Sequence, residues 1–349
     1  MKRRNQNPSI RQIAAELEVS KSTVALALNT LEEDCPLASA TRTKIREAAH
    51  KMGYRTNAIA RTMRTGKFNA ASLLVGNTHP FFLPAEMVNG MEEVLEQKKY
   101  RMQISWLNED KLSRPNYIPD VLKERSSDGL LIHYPGDIPE NIQQSIRRHQ
   151  IPCVVANNKL ESDCVYPDDY GAAFQATQTL LELGHRDIGY LHYYNNSHHY
   201  SERDRLKGYT DAMRQAGLKA RDLFPEKTIP PLSSIHTRDQ RFEMSTTLLQ
   251  SQDRPTAILC YEIAEAAPLL AAALPLKVSI PGDLSLIAFG RINRNDTGRP
   301  LSTVRLRLQE VGQRAAAMLL RKIDAPDIPQ KPEIVPLKLE SPITVSPPL

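Results

Sequence analysis

From residue 70 onward the chain repeats one pattern, a short apolar run next to a stretch of helical spacing. AASLLVG, RMQISWL, GLLIHY, PCVVAN, DIGYLHY, TAILCY and DLSLIAF are the runs, and Met87, Met91, Val94 and Leu95 illustrate the helical spacing between them. An apolar run without alternation suits a strand covered on both faces, and strands separated by helices return to the same edge, so they pair in parallel. The pattern predicts an α/β body with parallel sheets. At 349 residues the chain can hold that body and a small module besides.

The first 67 residues are of another kind. They carry 13 Lys/Arg against 6 Asp/Glu, a surplus of +7 in a chain whose total is +5. A basic head on a neutral body is expected when one small domain meets a phosphate backbone. Within it, Ser9 can cap a helix whose Ile10, Ile13, Ala14 and Leu17 share one face. Ser20 can cap a second, KSTVALALN, with Val24 and Leu28 inward and Lys21, Ser22, Ala25 and Leu26 outward. A third spans about residues 39–52, with Ile45, Ala48, Ala49 and Met52 inward and Gly53 closing it. Three helices so close together suit either a helix-turn-helix, in which the N-terminal residues of the second helix enter the major groove, or an ordinary helical bundle.

Other classes are disfavoured. Cys35, Cys153, Cys164 and Cys260 stand far apart with no CxxC, which fits a reducing compartment rather than a zinc ribbon or redox pair. The basic N-terminus leads into no apolar signal region, and no run of about 18 apolar residues occurs, so the expectation is a cytoplasmic, nucleoid-associated protein that neither spans nor meets a membrane. No phosphate-binding loop, nucleophile elbow or HExxH appears, so no enzyme and no cofactor is expected. Asp168 and Asp169 read as a helix N-terminus rather than a catalytic pair. His192, His198 and His199, without carboxylate or cysteine partners at ligand spacing, read as surface histidines rather than a metal site.

SIRQIAAELEVSKSTVALALN, followed by TRTKIREAAHKMGYRTNAIARTMRTGK, closely resembles the headpiece of the LacI/GalR family of bacterial transcriptional regulators. The resemblance implies that Lys21, Ser22 and Leu26 read bases, while Ser9, Ser20, Thr23, Asn29 and Tyr54 hold phosphates. Lys21 can donate to guanine O6/N7 and Ser22 can pair with several bases. Leu26 stands where the family usually has arginine, giving up roughly 1–3 kcal/mol of discrimination at that base, with a thymine methyl as a replacement contact. Ala25 and Ala38 replace serines, and Glu18 replaces a turn glycine, at a cost on the order of 1 kcal/mol if φ is positive there. Residues 57–64, NAIARTMR, resemble the hinge helix that forms only on DNA: Asn57 caps it, Ala60 allows close approach, Arg61, Arg64 and Lys67 meet phosphates, and Met63 takes the place of a leucine wedge in the minor groove. The bland alternative is a plain linker.

HPFF (79–82), LLELGHRDIGYL (180–191), RLKGY (205–209), IPGDLSLIAFG (280–290) and PLSTVRLRLQEVGQRAAAMLL (300–320) resemble the family's sensor domain. The implied fold is an all-α helix-turn-helix headpiece plus an α/β two-lobed periplasmic-binding-protein-like sensor domain. The expected boundaries are 1–56 for the headpiece, 57–67 for the hinge, 68–342 for the sensor and 343–349 for a tail. One lobe is placed at 70–160 plus 291–322, the other at 161–290 plus 323–342. In the cleft the resemblance implies Phe82 stacking on a ring, Asp168 lining the wall and Arg205 clamping an anionic or hydroxyl group. Tyr261 and Glu262 replace an Asn-Asp pair, and Gly290 and Arg291 replace Asp-Asp, which favours a changed, anionic ligand over an ordinary sugar and leaves a vestigial pocket as the alternative. No leucine heptad follows Pro342, so a homodimer on palindromic operator DNA is the simplest assembly, modulated by a sugar, sugar phosphate or other anion.

Overall fold

The computed structural model describes the chain except for residues 1–7, 31–34, 56–61, 64, 77–82, 109–110, 112–116, 194–198, 225–237, 291–299 and 341. It divides into two compact units, Met1–Phe68 and Asn69–Leu349.

In the first unit, α1 (Ile10–Glu16), α2 (Lys21–Asn29) and α3 (Ser39–Lys51) surround a small core of Ile13, Ala14, Val24, Ala27, Ile45, Ala48 and Ala49. Val24 is buried as its spacing requires, but its inward companion is Ala27, while Leu28 packs at the core's margin. The short alanine lets α2 lie close to its neighbours, where a leucine would hold it away. Ser9 caps α1 in a capping box: its Oγ accepts from the Gln12 amide and its own amide donates to Gln12 Oε1 at 2.8 Å. Between α1 and α2 the chain turns through Glu18, whose φ is +52°. An exposed glutamate in this left-handed region carries steric strain that glycine avoids.

The second unit contains two six-stranded sheets. Its elements are β1 (Ala70–Val75), α4 (Ala85–Gln97), β2 (Arg101–Trp106), α5 (Asp120–Lys123), β3 (Gly129–His133), α6 (Glu140–Arg148), β4 (Cys153–Ala156), β5 (Cys164–Pro167), α7 (Asp169–Glu182), β6 (Ile188–Leu191), α8 (Tyr200–Gln215), β7 (Arg221–Asp222), α9 (Arg238–Gln250), β8 (Ala257–Cys260), α10 (Ile263–Ala273), β9 (Ser285–Gly290), β10 (Ser302–Arg305), α11 (Leu308–Asp324), β11 (Glu333–Val335) and β12 (Lys338–Glu340). The first sheet has the order β11-β5-β4-β3-β1-β2 and is parallel throughout; the second has the order β12-β10-β9-β8-β6-β7, with only β12 antiparallel.

These pairings move the lobe boundaries away from those expected. β5 belongs to the first sheet, where Cys164 sits opposite Val155, so the first crossover comes at Pro167/Asp168 rather than at 161. β10 pairs with β9 in the second sheet, Ser302 opposite Ile287, so residues 302–305 do not belong to the first lobe. The chain recrosses at Leu306, which packs against the cores of both sheets, and α11 then covers the first sheet. β11 joins β5 and β12 joins β10, which places the last crossover at Pro336. Register hydrogen bonds decide these memberships, and short runs such as STVR do not advertise their partners.

On one face of the first sheet, α4 and α11 cross at paired glycines. A methyl added at Gly90 would overlap the Gln309 carbonyl, and one at Gly312 the Met87 carbonyl. Backbone contact at this crossing brings Met87, Met91 and Leu95 against Val311, Ala315 and Leu319 in one core.

Candidate nucleic-acid interface and ligand cleft

Ser20 organises the start of α2. Its Oγ accepts from the Thr23 amide at 3.0 Å and lies 2.6 Å from Ser22 Oγ and 2.8 Å from Thr23 Oγ1. With Val24 and Ala27 turned into the core, Lys21 and Ser22 are exposed at the first turn and Leu26 is half-buried one turn later, outside the core cluster. The helix therefore offers a cation, a hydroxyl and an apolar group, with its partly positive N-terminus behind them. The remaining positions are structurally committed in part: Asn29 Nδ2 donates to the Ala25 carbonyl at 2.8 Å, and Tyr54 packs on the core, where burial pushes its phenol up. Met63 is 84% exposed. Asn57, Ala60, Arg61 and Arg64 lie outside the described residues.

In the second unit a polar cluster gathers at the C-terminal ends of the strands. Arg205, one turn into α8, is buried, its Nε donating to Asp169 Oδ1 at 2.7 Å and its Nη1 to the Tyr261 carbonyl at 2.6 Å. Its guanidinium lies between two rings, 4.5 Å from the centre of Tyr261 and 4.2 Å from that of Phe289. Burial opposes the charge, but Asp169, with Tyr261 and Glu262, more than offsets it, and the guanidinium is held above its usual range. Asp169 also accepts from the Tyr200 hydroxyl at 2.7 Å. The resemblance assigned Arg205 to a ligand; in the structure its charge is met from within the protein. Asp168, half-buried, caps α7 by accepting from the Gly171 amide at 2.9 Å, and Asp169 is the counterion.

Of the three histidines expected at the surface, His192 and His199 are buried instead, and His198 lies outside the described residues. His192 follows β6 and packs under Tyr261, ring centres 4.0 Å apart; burial, then Arg205 and Arg241, lower its pKa to about 3. His199 caps α8 and donates from Nε2 to the Asn157 carbonyl at 2.8 Å, since a carbonyl can only accept. Its Nδ1 then accepts from Ser201 Oγ at 2.7 Å, and Ser201 in turn accepts from the Tyr261 hydroxyl at 2.8 Å. Burial lowers the His199 pKa to about 4, against the pull of Asn157 and Asp169. This chain of bonds runs from the end of β8 to the end of β4 and so ties the two sheets together. At the start of α10, Glu265 Oε2 accepts from the Glu262 amide at 2.9 Å; burial, with Glu262 beside it, pushes its carboxyl up to about 8. Phe82 and Arg291 lie outside the described residues.

The structure thus brings Arg205 and Tyr261 together with Asp169, Ser201, His199, His192 and Phe289, none of which the sequence singled out as cleft residues. Histidines in a stretch rich in Tyr and Asn gave no sign of burial. The RLKGY and DDYG segments gave no sign that one supplies the other's counterion.

Residues 177–341 match a family model described as a periplasmic binding protein-like domain. Catabolite control protein A of Priestia megaterium is 25% identical over 96% of this chain and 98% of its own length. The HTH-type transcriptional regulator GalR of Escherichia coli is 28% identical over 92% and 91%. Among solved structures, the lac repressor dimer bound to operator and the anti-inducer ONPF superposes with a TM-score of 0.73 at 17% identity, covering 98% of this chain and all of that one. The cellobiose complex of the transcriptional regulator CelR superposes with a TM-score of 0.63 at 19% identity, covering 97% and 100%. Matches that run end to end, a headpiece whose α2 leaves Lys21 and Ser22 uncovered, and two largely parallel sheets joined by three crossovers agree with one another: over its whole length the chain is similar to transcriptional regulators such as catabolite control protein A and GalR, and it shares the fold of the lac repressor.

Proposed function

We propose that the protein is a repressor that binds a palindromic operator as a homodimer, with α2 in the major groove, and that a small ligand between the two sheets modulates binding. The observation that carries the reading is the outward face of α2, where Lys21 and Ser22 stand exposed opposite the buried Val24 and Ala27. Lys21 donates to a guanine edge, Ser22 supplies an adaptable hydrogen bond, and Leu26 meets a thymine methyl where most of the family presents arginine. Ser9, Ser20, Thr23, Asn29 and Tyr54 fix register against phosphates. Asn57, Ala60, Arg61 and Met63 belong to a hinge that orders on DNA, Met63 entering the minor groove. The lac repressor relative was solved on its operator as a dimer, which supports the same assembly here.

In the cleft, Phe82, Asp168, Arg205, Tyr261 and Arg291 surround the effector. An anion would find Arg205 already neutralised by Asp169, and Tyr261 offers a ring and a hydroxyl engaged with Ser201 in place of an acidic acceptor. At the Tyr261 position, therefore, no carboxylate grips vicinal hydroxyls. Coupling of about 1–3 kcal/mol between cleft and headpiece suffices to change operator occupancy 5- to 150-fold.

Selection of bound fragments from random DNA, with and without sugars, sugar phosphates and carboxylates, tests both halves. Enrichment of a palindrome with a steep salt dependence supports operator binding. No enriched palindrome, with a salt slope near zero, overturns it. A palindrome unaffected by every metabolite, with no thermal shift of the protein, points instead to constitutive repression through a self-satisfied cleft.

A further inference from the structure

A cavity of about 580 Å³ opens on the face of the first sheet opposite α4 and α11. Ile132, Val155 and Cys153 form its floor and Ile146 of α6 its side. It exists because β5 leads directly into the second lobe, so this flank of the sheet has residues 158–163 and the start of α8 beside it instead of a packed helix. Burial, then Asp163, pushes the Cys153 thiol up to about 12, so it lines the floor as an uncharged group. None of Asp168, Arg205 and Tyr261 lines this cavity.

Most charges at its rim are met within the protein. Lys159 pairs with Asp204 at 2.7 Å, Arg147 with Glu140 at 2.6 Å, and Asp163 with Lys322 at 3.1 Å. The Asn158 amide donates to the Gly136 carbonyl at 2.9 Å and its Oδ1 accepts from the Lys159 amide at 2.8 Å. Two lining groups of opposite sign, Arg203 on α8 and Asp137 after β3, are exposed and make no ion pair among the described residues.

We propose that this cavity is a second small-molecule site that takes a zwitterion with an apolar body, of the size and chemistry of an apolar amino acid. The carboxylate meets Arg203, the ammonium meets Asp137, and the side chain covers Ile132, Val155 and Cys153. The volume lies within the range of about 300–1,000 Å³ typical of ligand pockets. A ligand of one charge only would leave the opposite rim group unmatched.

Calorimetric titration of the full-length protein without DNA, using L-phenylalanine, 3-phenylpropionate and phenethylamine, tests the site independently of operator binding. L-Phenylalanine is expected to bind at least about tenfold more tightly than either single-charge analogue, and Arg203→Gln or Asp137→Asn to weaken it on the order of tenfold, as loss of a charged hydrogen bond does. Because both residues are exposed, neither substitution disturbs the core. Equal binding of the analogues, binding unchanged in both variants, or no binding of L-phenylalanine at millimolar concentration would overturn the proposal.

Discussion

Replacing Asp169 tests whether the cleft floor is held together by its buried ion pair. The side chains of Asp169 and Arg205 are 1% and 4% exposed, and their contact is 2.7 Å. Asp169→Ala leaves the guanidinium buried without its counterion, a loss of about 3–5 kcal/mol for pairs so placed. It also removes a carboxylate from the first turn of α7, adding roughly 0.3–1 kcal/mol. Tyr200 adds little, because its hydroxyl is also 3.2 Å from the Pro167 carbonyl. Domains near this size lose about 2–4 °C of Tm per kcal/mol, so a fall of about 7–24 °C is expected. Trp106 is the single tryptophan and lies in β2, so its fluorescence follows the second unit without interference from the headpiece. Arg205→Met alone should also be costly, because it orphans the carboxylate. The double variant Asp169→Ala/Arg205→Met should recover much of the loss, giving a large coupling energy in the cycle. A loss below about 1 kcal/mol for Asp169→Ala, or a double variant as unstable as the two singles combined, would refute the reasoning.

Two further outcomes follow from particular residues. Glu18→Gly should stabilise the headpiece by about 1 kcal/mol, measured by circular dichroism melting, because φ of +52° suits glycine; no gain would mean that Glu18 is not strained. His199 has its folded pKa lowered to about 4 against about 6.5 when unfolded, so the unfolded state takes up the proton first and stability falls as pH drops from about 6.5 to 4. Its share of that loss is about 2 kcal/mol at pH 5 and about 3 kcal/mol below pH 4. Urea denaturation between pH 7 and 5 should show His199→Gln with a flatter profile than the wild type, and identical slopes would contradict the assignment.

The sequence exposed much of the fold because burial on two faces leaves apolar runs that need no partner to be recognised. The start of helix α1 was legible to the residue through Ser9, with Ile13 and Ala14 inward, and Glu18 through its place in the turn. Lobe membership of 164–167, 302–305 and 333–335 was not legible, because it depends on which edge each short strand joins. The cleft was legible only at its ends. Arg205 and Tyr261 stood out by type, but their contacts with Asp169, His199 and Ser201 join residues that are distant in sequence or were given other roles. A self-contained ion pair in the floor also changes the ligand question, since an arginine already neutralised does not select an anion.

The central claim is that the first turn of α2 reads base edges, and Lys21→Ala addresses it most directly. Affinity of wild type and variant should be measured at one fixed salt concentration for the selected operator and for random DNA of the same length. The account predicts a loss of roughly 5- to 150-fold on the operator and a much smaller one on random DNA. Equal losses on the two would show that Lys21 holds a phosphate and that the bases are read elsewhere.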